Sequence, residues 1–236
     1  MISEKASSSW NGLYRVGGMA ALSILVLMPI QMILFLVWPP PNTVIGWFTL
    51  FHENALVGLI DMDLLLIVDY VLMLMVFLAL WAAIRRANES LMVIALALQL
   101  VATATYFAST VAFEMLSLSN QYATATTDAE RTIFLAAGQA MLATWQGTAF
   151  DISYVLGAVA LLIVSVVMLR SHLFSKANGY AGMLAGVLAL VPASAGMVGL
   201  LLSLMSLPPT AIWLLLTAQR LFKLGHIERG LYHKLS

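Results

Sequence analysis

Apolar residues fill this chain in long unbroken tracts, and the polar residues collect between them. About 20 apolar residues, rising 1.5 Å each, carry a helix across a bilayer core. Tracts at about 13–38, 55–84, 91–116 and 144–169 therefore predict one membrane-spanning helix each. A longer tract, Tyr180 to Ala218, has room for two, about 179–195 and 197–219, with a turn near Pro192-Ala-Ser-Ala-Gly196. Pro39-Pro40-Pro41 ends the first span, since a proline triplet cannot continue a helix. Pro208-Pro209 would kink the sixth. Ile45 to Phe51 is short and aromatic, the pattern of an interfacial segment. Ser117 to Thr132 is polar, and Thr127-Asp-Ala-Glu130 has capping-box form. It should open an amphipathic helix, about 128–143, lying on the outer surface. The expectation is an all-α polytopic bundle of about six transmembrane helices, in one domain covering 1–236.

Composition changes the picture in one respect: 62% of residues are hydrophobic and 9% charged, against about 25% charged in soluble domains. Lipid must then be the solvent for much of the surface, and the bilayer is the first expected partner. A net charge of +0 supplies no field for nucleic acid. The count of zero cysteines excludes disulfides, thiolate metal sites and a cysteine nucleophile. The first apolar tract is longer than the ~7–15 residues of a signal-peptide core, and reads as an uncleaved span.

Charge orients the spans. Lys5, Arg15, Arg85, Arg86, Arg170, Lys176, Arg220, Lys223, Arg229 and Lys234 fall at the termini and in the even-numbered loops; Arg131 alone falls in an odd one. By the positive-inside rule both termini are cytoplasmic and the membrane is the plasma membrane. A weak repeat at an offset of 90 places Asp61 on Asp151 and Arg86-Ala-Asn88 on Lys176-Ala-Asn178. Three parallel hairpin repeats, as in some transporters, would produce it.

With that orientation six acids gather in or beside the outer half: Glu53, Asp61, Asp63, Asp69, Glu114 and Asp151. No Lys or Arg lies at their depth. A carboxylate inside a membrane faces a cavity, finds a partner or takes a proton. Helical spacing puts Glu53, Asp61 and Asp69, eight apart in turn, along one broad face. Asp63 points away, toward water or a cap. Asp69 is too deep for capping. Asp151 is followed three residues later by Tyr154, whose hydroxyl could satisfy it. Gln31, Gln99, Tyr106 and Ser109 are polar positions within spans, suited to helix contacts. Trp145, Gln146, Phe107 and Phe150 could border a cavity near Asp151. His52 with Glu53 is a weak metal candidate, because no His-x-x-x-His or His-Glu-x-x-His spacing accompanies it.

Phe113-Glu-Met-Leu-Ser-Leu-Ser-Asn-Gln-Tyr122, Thr144-Trp-Gln-Gly-Thr-Ala-Phe150 and Trp38-Pro-Pro-Pro41 resemble a bacterial family of multi-pass membrane proteins, domain of unknown function 4386. The resemblance covers about 13–225. It implies a membrane protein of this size and supplies no activity, cofactor or catalytic residue.

Three functions remain open at this point. One is binding or proton-coupled transport of a small molecule or cation at the carboxylates, chiefly Asp61, Asp69 and Asp151, with Glu53, Glu114, Tyr106, Trp145, Gln146 and Tyr154 around them. Another is an intramembrane enzyme, with a protonated Asp as general acid on a lipophilic isoprenoid or lipid substrate. The third is a non-catalytic sensor or accessory subunit that uses the external helix as its partner surface. Neither cofactor nor oligomeric state is readable from the residues.

Overall fold

The structure, a computed structural model, describes the backbone of residues 10–232 and the side chains of 10–226; Glu4, Lys5, Lys234 and His233, with the side chains of Glu228 and Arg229, lie outside that range. Every regular element among the described residues is helical.

The elements are α1 (Asn11–Val37), α2 (Val44–Glu53), α3 (Ala55–Leu59), a wide π turn (Ile60–Leu64), α4 (Leu65–Ile84), α5 (Glu89–Ser109), α6 (Ala112–Thr124), α7 (Asp128–Trp145), α8 (Thr148–Arg170), α9 (Lys176–Leu188) and α10 (Gly196–Tyr232). Five helical stretches are long and apolar enough to cross a membrane: Asn11–Val37, Ala55–Ile84, Glu89–Thr124, Asp128–Arg170 and Gly196–His226.

Local chemistry explains the boundaries. Thr43, Asn54, Asn88 and Ser175 each accept a backbone N–H at a helix start, at 3.0–3.2 Å. Asn88 is thus a cap, whereas its repeat counterpart Asn178 lies inside α9 and Ser175 caps instead. Ser109 and Thr110 donate to the carbonyls of Tyr106 and Phe107, at 2.7 and 2.8 Å, and α5 stops there. Pro192 has no N–H for the Leu188 carbonyl, so α9 ends after 13 residues. That is about 20 Å of helix, shorter than the expected fifth span and than a ~30 Å hydrocarbon core. The turn that follows closes at Gly196, whose φ of +71° favours glycine.

Six helices form a closed ring: α1 packs on α4, α4 on α5, α5 on α8, α8 on α9, α9 on α10, and α10 back on α1. Helices that follow one another around the ring therefore sit side by side. The ring's core includes Ile24, Phe77, Leu80, Val164, Trp213 and Leu221, each 4% exposed or less. Large apolar groups point outward as well, such as Val26, Ile33 and Leu201, each at least half exposed. That inversion suits a lipid-facing surface.

Apart from Arg131 in α7, the described basic residues share one end of the ring. There Arg85 stacks on Trp81 and Trp10, its guanidinium 4.5 and 5.4 Å from the ring centroids. At the other, acidic end α2, α6 and α7 form a cap with its own apolar core. Trp47, Phe48 and Phe51, expected at headgroup level, are 1–2% exposed in it. They turn inward because α6 and α7 provide a surface to pack on. Ser119 of α6 donates to the Phe48 carbonyl at 2.8 Å. A Cβ at Gly138 of α7 would stand 2.9 Å from Phe48, so the helices touch closely there. The capping box at Thr127 and Glu130 forms as expected.

Candidate functional site

The acid-bearing strand of helix is not regular. After the Asn54 cap, α3 runs one turn and opens into the π turn Ile60–Leu64. Within it Met62 has φ −91° and ψ 42°, and Asp63 has φ 71° and ψ 17°. Asp63 is the one non-glycine residue with positive φ among the described residues. Asp tolerates that region better than most residues.

The turn corrects two expectations. Asp63 does not face water: it is 5% exposed and accepts a hydrogen bond from the Trp145 indole N–H. A regular helix would send residues two apart to different sides, but the non-helical backbone at Met62 and Asp63 lets Asp61 and Asp63 both enter the interior. Glu53 does not share their face, because the extended Asn54 separates its helix from theirs; it is exposed, as is His52.

Asp61 is 1% exposed, and neither of its carboxyl oxygens has a hydrogen-bond partner. Asp69, two turns on in α4, has a buried Oδ1 without a partner. No described carboxylate pairs with a Lys or Arg. Between the acids stand two tyrosines. Tyr70 and Tyr106 stack with centroids 3.9 Å apart and planes 5° from parallel. The buried Tyr106 hydroxyl lies close to Asp63 and within electrostatic reach of Asp69. Tyr70 and Ser153 hydroxyls share a hydrogen bond of 3.3 Å, and Ser153 also reaches the Phe150 carbonyl at 2.7 Å.

Asp69 faces a cavity of about 230 Å³ inside the ring. Its wall is mostly apolar, from α1 (Ile24, Met28), α4 (Met73, Phe77) and α8 (Gly157, Leu161). Gln99, Tyr70, Ser153, Tyr154 and Thr210 supply polar atoms, and Asp69 is the single ionisable carboxyl in the lining. The Gln99 side chain donates from Nε2 to the Thr103 hydroxyl at 3.5 Å. Such a mix, apolar wall with a few convergent polar groups, is what small-molecule sites share.

The other expected residues lie apart. Asp151 is half-buried and accepts a hydrogen bond from Ser194, in the α9–α10 turn, rather than from Tyr154. Tyr154 reaches across instead to donate to Ser203 of α10 at 2.6 Å. Residues three apart share a helix face, but both partners here lie on other elements, so spacing along α8 did not decide the bond. Glu114 and Gln146 are exposed. No group of three or more His, Asp or Glu among the described residues could hold a metal ion, so His52 and Glu53 gain no third ligand. Asp61, Asp63 and Asp69, with Tyr106 and Trp145, form one neighbourhood; Asp151, Glu53 and Glu114 do not join it. Sequence reasoning passed over Tyr70, Ser153, Ser194 and Ser203. Only Tyr70 carried a signal, as the polar neighbour of Asp69 within an apolar tract.

No family model matches the chain, and no curated protein or solved structure is similar to it.

Proposed function

We propose that the chain is a multi-pass plasma-membrane protein, with both termini cytoplasmic, that binds a small cationic molecule or a proton at Asp69 and couples it to transport. The observation that carries this reading is the half-buried Asp69 carboxyl, its buried Oδ1 without a hydrogen-bond partner, facing a mostly apolar pocket with no Lys or Arg in its lining. A carboxylate in such surroundings is costly until it gains a proton or a positive ligand. Asp61 and Asp63 lie between the cavity and the acidic end, with Tyr106 as the polar group joining the two levels. They supply further stations for the same charge. The ten-to-one partition of Lys and Arg between the two ends supports the sidedness.

The test uses the full chain in liposomes that enclose a pH-sensitive dye, with a potassium diffusion potential imposed. Wild-type vesicles should acidify. The Asp69→Asn variant should lose flux by about tenfold or more, the scale of removing a positioned proton carrier, and Asp61→Asn should lose part of it. Undiminished flux in Asp69→Asn defeats the proposal.

A further inference from the structure

A second pocket, of about 350 Å³, opens at the basic end of the ring between the α8–α9 connection and α10. Its titratable groups are His172, Arg220 and Lys223, and no carboxylate lines it. Neither Arg220 nor Lys223 has an acidic partner among the described residues. The Arg220 Nε is buried and bonds to nothing, although a guanidinium offers its donors as a planar fork suited to a phosphate.

The frame around these groups is fixed. Asn178, 1% exposed, donates to the Thr217 hydroxyl at 3.1 Å, locking α9 to α10 at the pocket floor. Thr217, Arg220 and Lys223 follow at three-residue steps, so the two cations rise from that lock along one side of α10. Ser175, also in the lining, caps α9, and the positive end of the α9 dipole faces the same space. Leu173, Phe174 and Leu216 give the lining an apolar side, with Leu173 37% exposed, and α9 and α10 carry outward-facing apolar groups such as Leu184, 55% exposed, and Leu215, 44%. A soluble anion would have no use for those neighbours, but an acyl chain would lie against them.

We infer that this pocket binds the phosphate of an anionic phospholipid headgroup, with Arg220 and Lys223 as its charged contacts and the acyl chains along α9 and α10. Basic pockets between helices at the cytoplasmic face are suited to such headgroups. The inference rests on residues remote from Asp69 and stands independently of the transport reading.

The experiment titrates the full chain in detergent with phosphatidylglycerol, phosphatidylcholine or inorganic phosphate, counting bound lipid by native mass spectrometry and following thermal protection. Phosphatidylglycerol should bind at least about tenfold more tightly than phosphatidylcholine, given two cations near the surface. The pair Arg220→Gln with Lys223→Gln should erase that preference. Arg86→Gln with Arg170→Gln removes the same charge from exposed positions outside the pocket and should retain it. Arg220→Lys, which keeps the charge, should retain most of it and shows that the site folds. Equal binding of the two lipids, or equal loss in both double variants, overturns the inference. Protection by inorganic phosphate as strong as by phosphatidylglycerol overturns the lipid assignment and makes a soluble phosphate the ligand.

Discussion

Asp63 holds two costs in one residue: a left-handed backbone and a buried carboxyl. The indole of Trp145 offsets the second, and the Asp side chain eases the first. Asp63→Ala keeps the backbone strain and deprives the indole of its acceptor. It should lower stability by about 2–3 kcal/mol, while Asp63→Asn, which keeps an acceptor, should lose less. Thermal unfolding in detergent, read by tryptophan fluorescence, separates the two; an alanine variant as stable as wild type would contradict the bond. At this scale the sequence revealed part of the site. Asp61, Asp69, Tyr106 and Trp145 stood out as polar or amphipathic groups in apolar tracts. Asp63 was misjudged because a helical wheel assumes one uninterrupted phase, and the π turn breaks it. Asp151 and Tyr154 were paired by spacing, but their partners come from the α9–α10 turn and from α10.

The pair α6 and α7 shows what local chemistry can and cannot specify. α7 was legible from Thr127 and Glu130 because both halves of its cap lie within four residues. α6 was not, since Ser117 to Thr124 is polar enough to read as a loop. Its helix exists because Ala112, Met115 and Ser119 line up at helical spacing against α2, a contact no local pattern contains. The α7 cap also has a pH signature. The Glu130 carboxylate accepts from the backbone N–H groups of Thr126 and Thr127, at 3.0 and 3.1 Å, which holds its pKa below the usual carboxylate value. A group depressed in the folded state stabilises above its unfolded pKa, and that contribution is lost as pH falls through the folded value. Amides at the start of α7 should exchange faster with solvent as pH drops through the acidic range, after correction for intrinsic exchange. In Glu130→Gln the dependence should vanish; persistence there would assign it to another group.

For the whole molecule, the all-α class, five of the six expected spans and the gathering of most bases at one end were readable from tract length and charge alone; the expected fifth span was not, because α9 stops after 13 residues. The ring order and its cavity were not, because they depend on which apolar faces meet. Glycines decide part of that: a Cβ at Gly186 would lie 2.8 Å from Leu162 of α8, and one at Gly182 would lie 2.7 Å from Trp213 of α10. Sidedness is testable because the chain has zero cysteines. Single substitutions Asn120→Cys and Ser171→Cys should react with a membrane-impermeant maleimide from opposite sides, the first from outside intact cells and the second only after lysis. Labelling of both from one side would refute the orientation.

The closure of α10 onto α1 has a topological consequence. Gly225 lies against Asn11 and Arg15, so the first and last helices meet along a seam like any other pair of neighbours. A ring assembled from successive hairpins has no privileged starting point. The same circle could be drawn from α5 or from α9 with the order of neighbours unchanged, and the seam between α10 and α1 is the single junction around it where packing substitutes for a covalent connection.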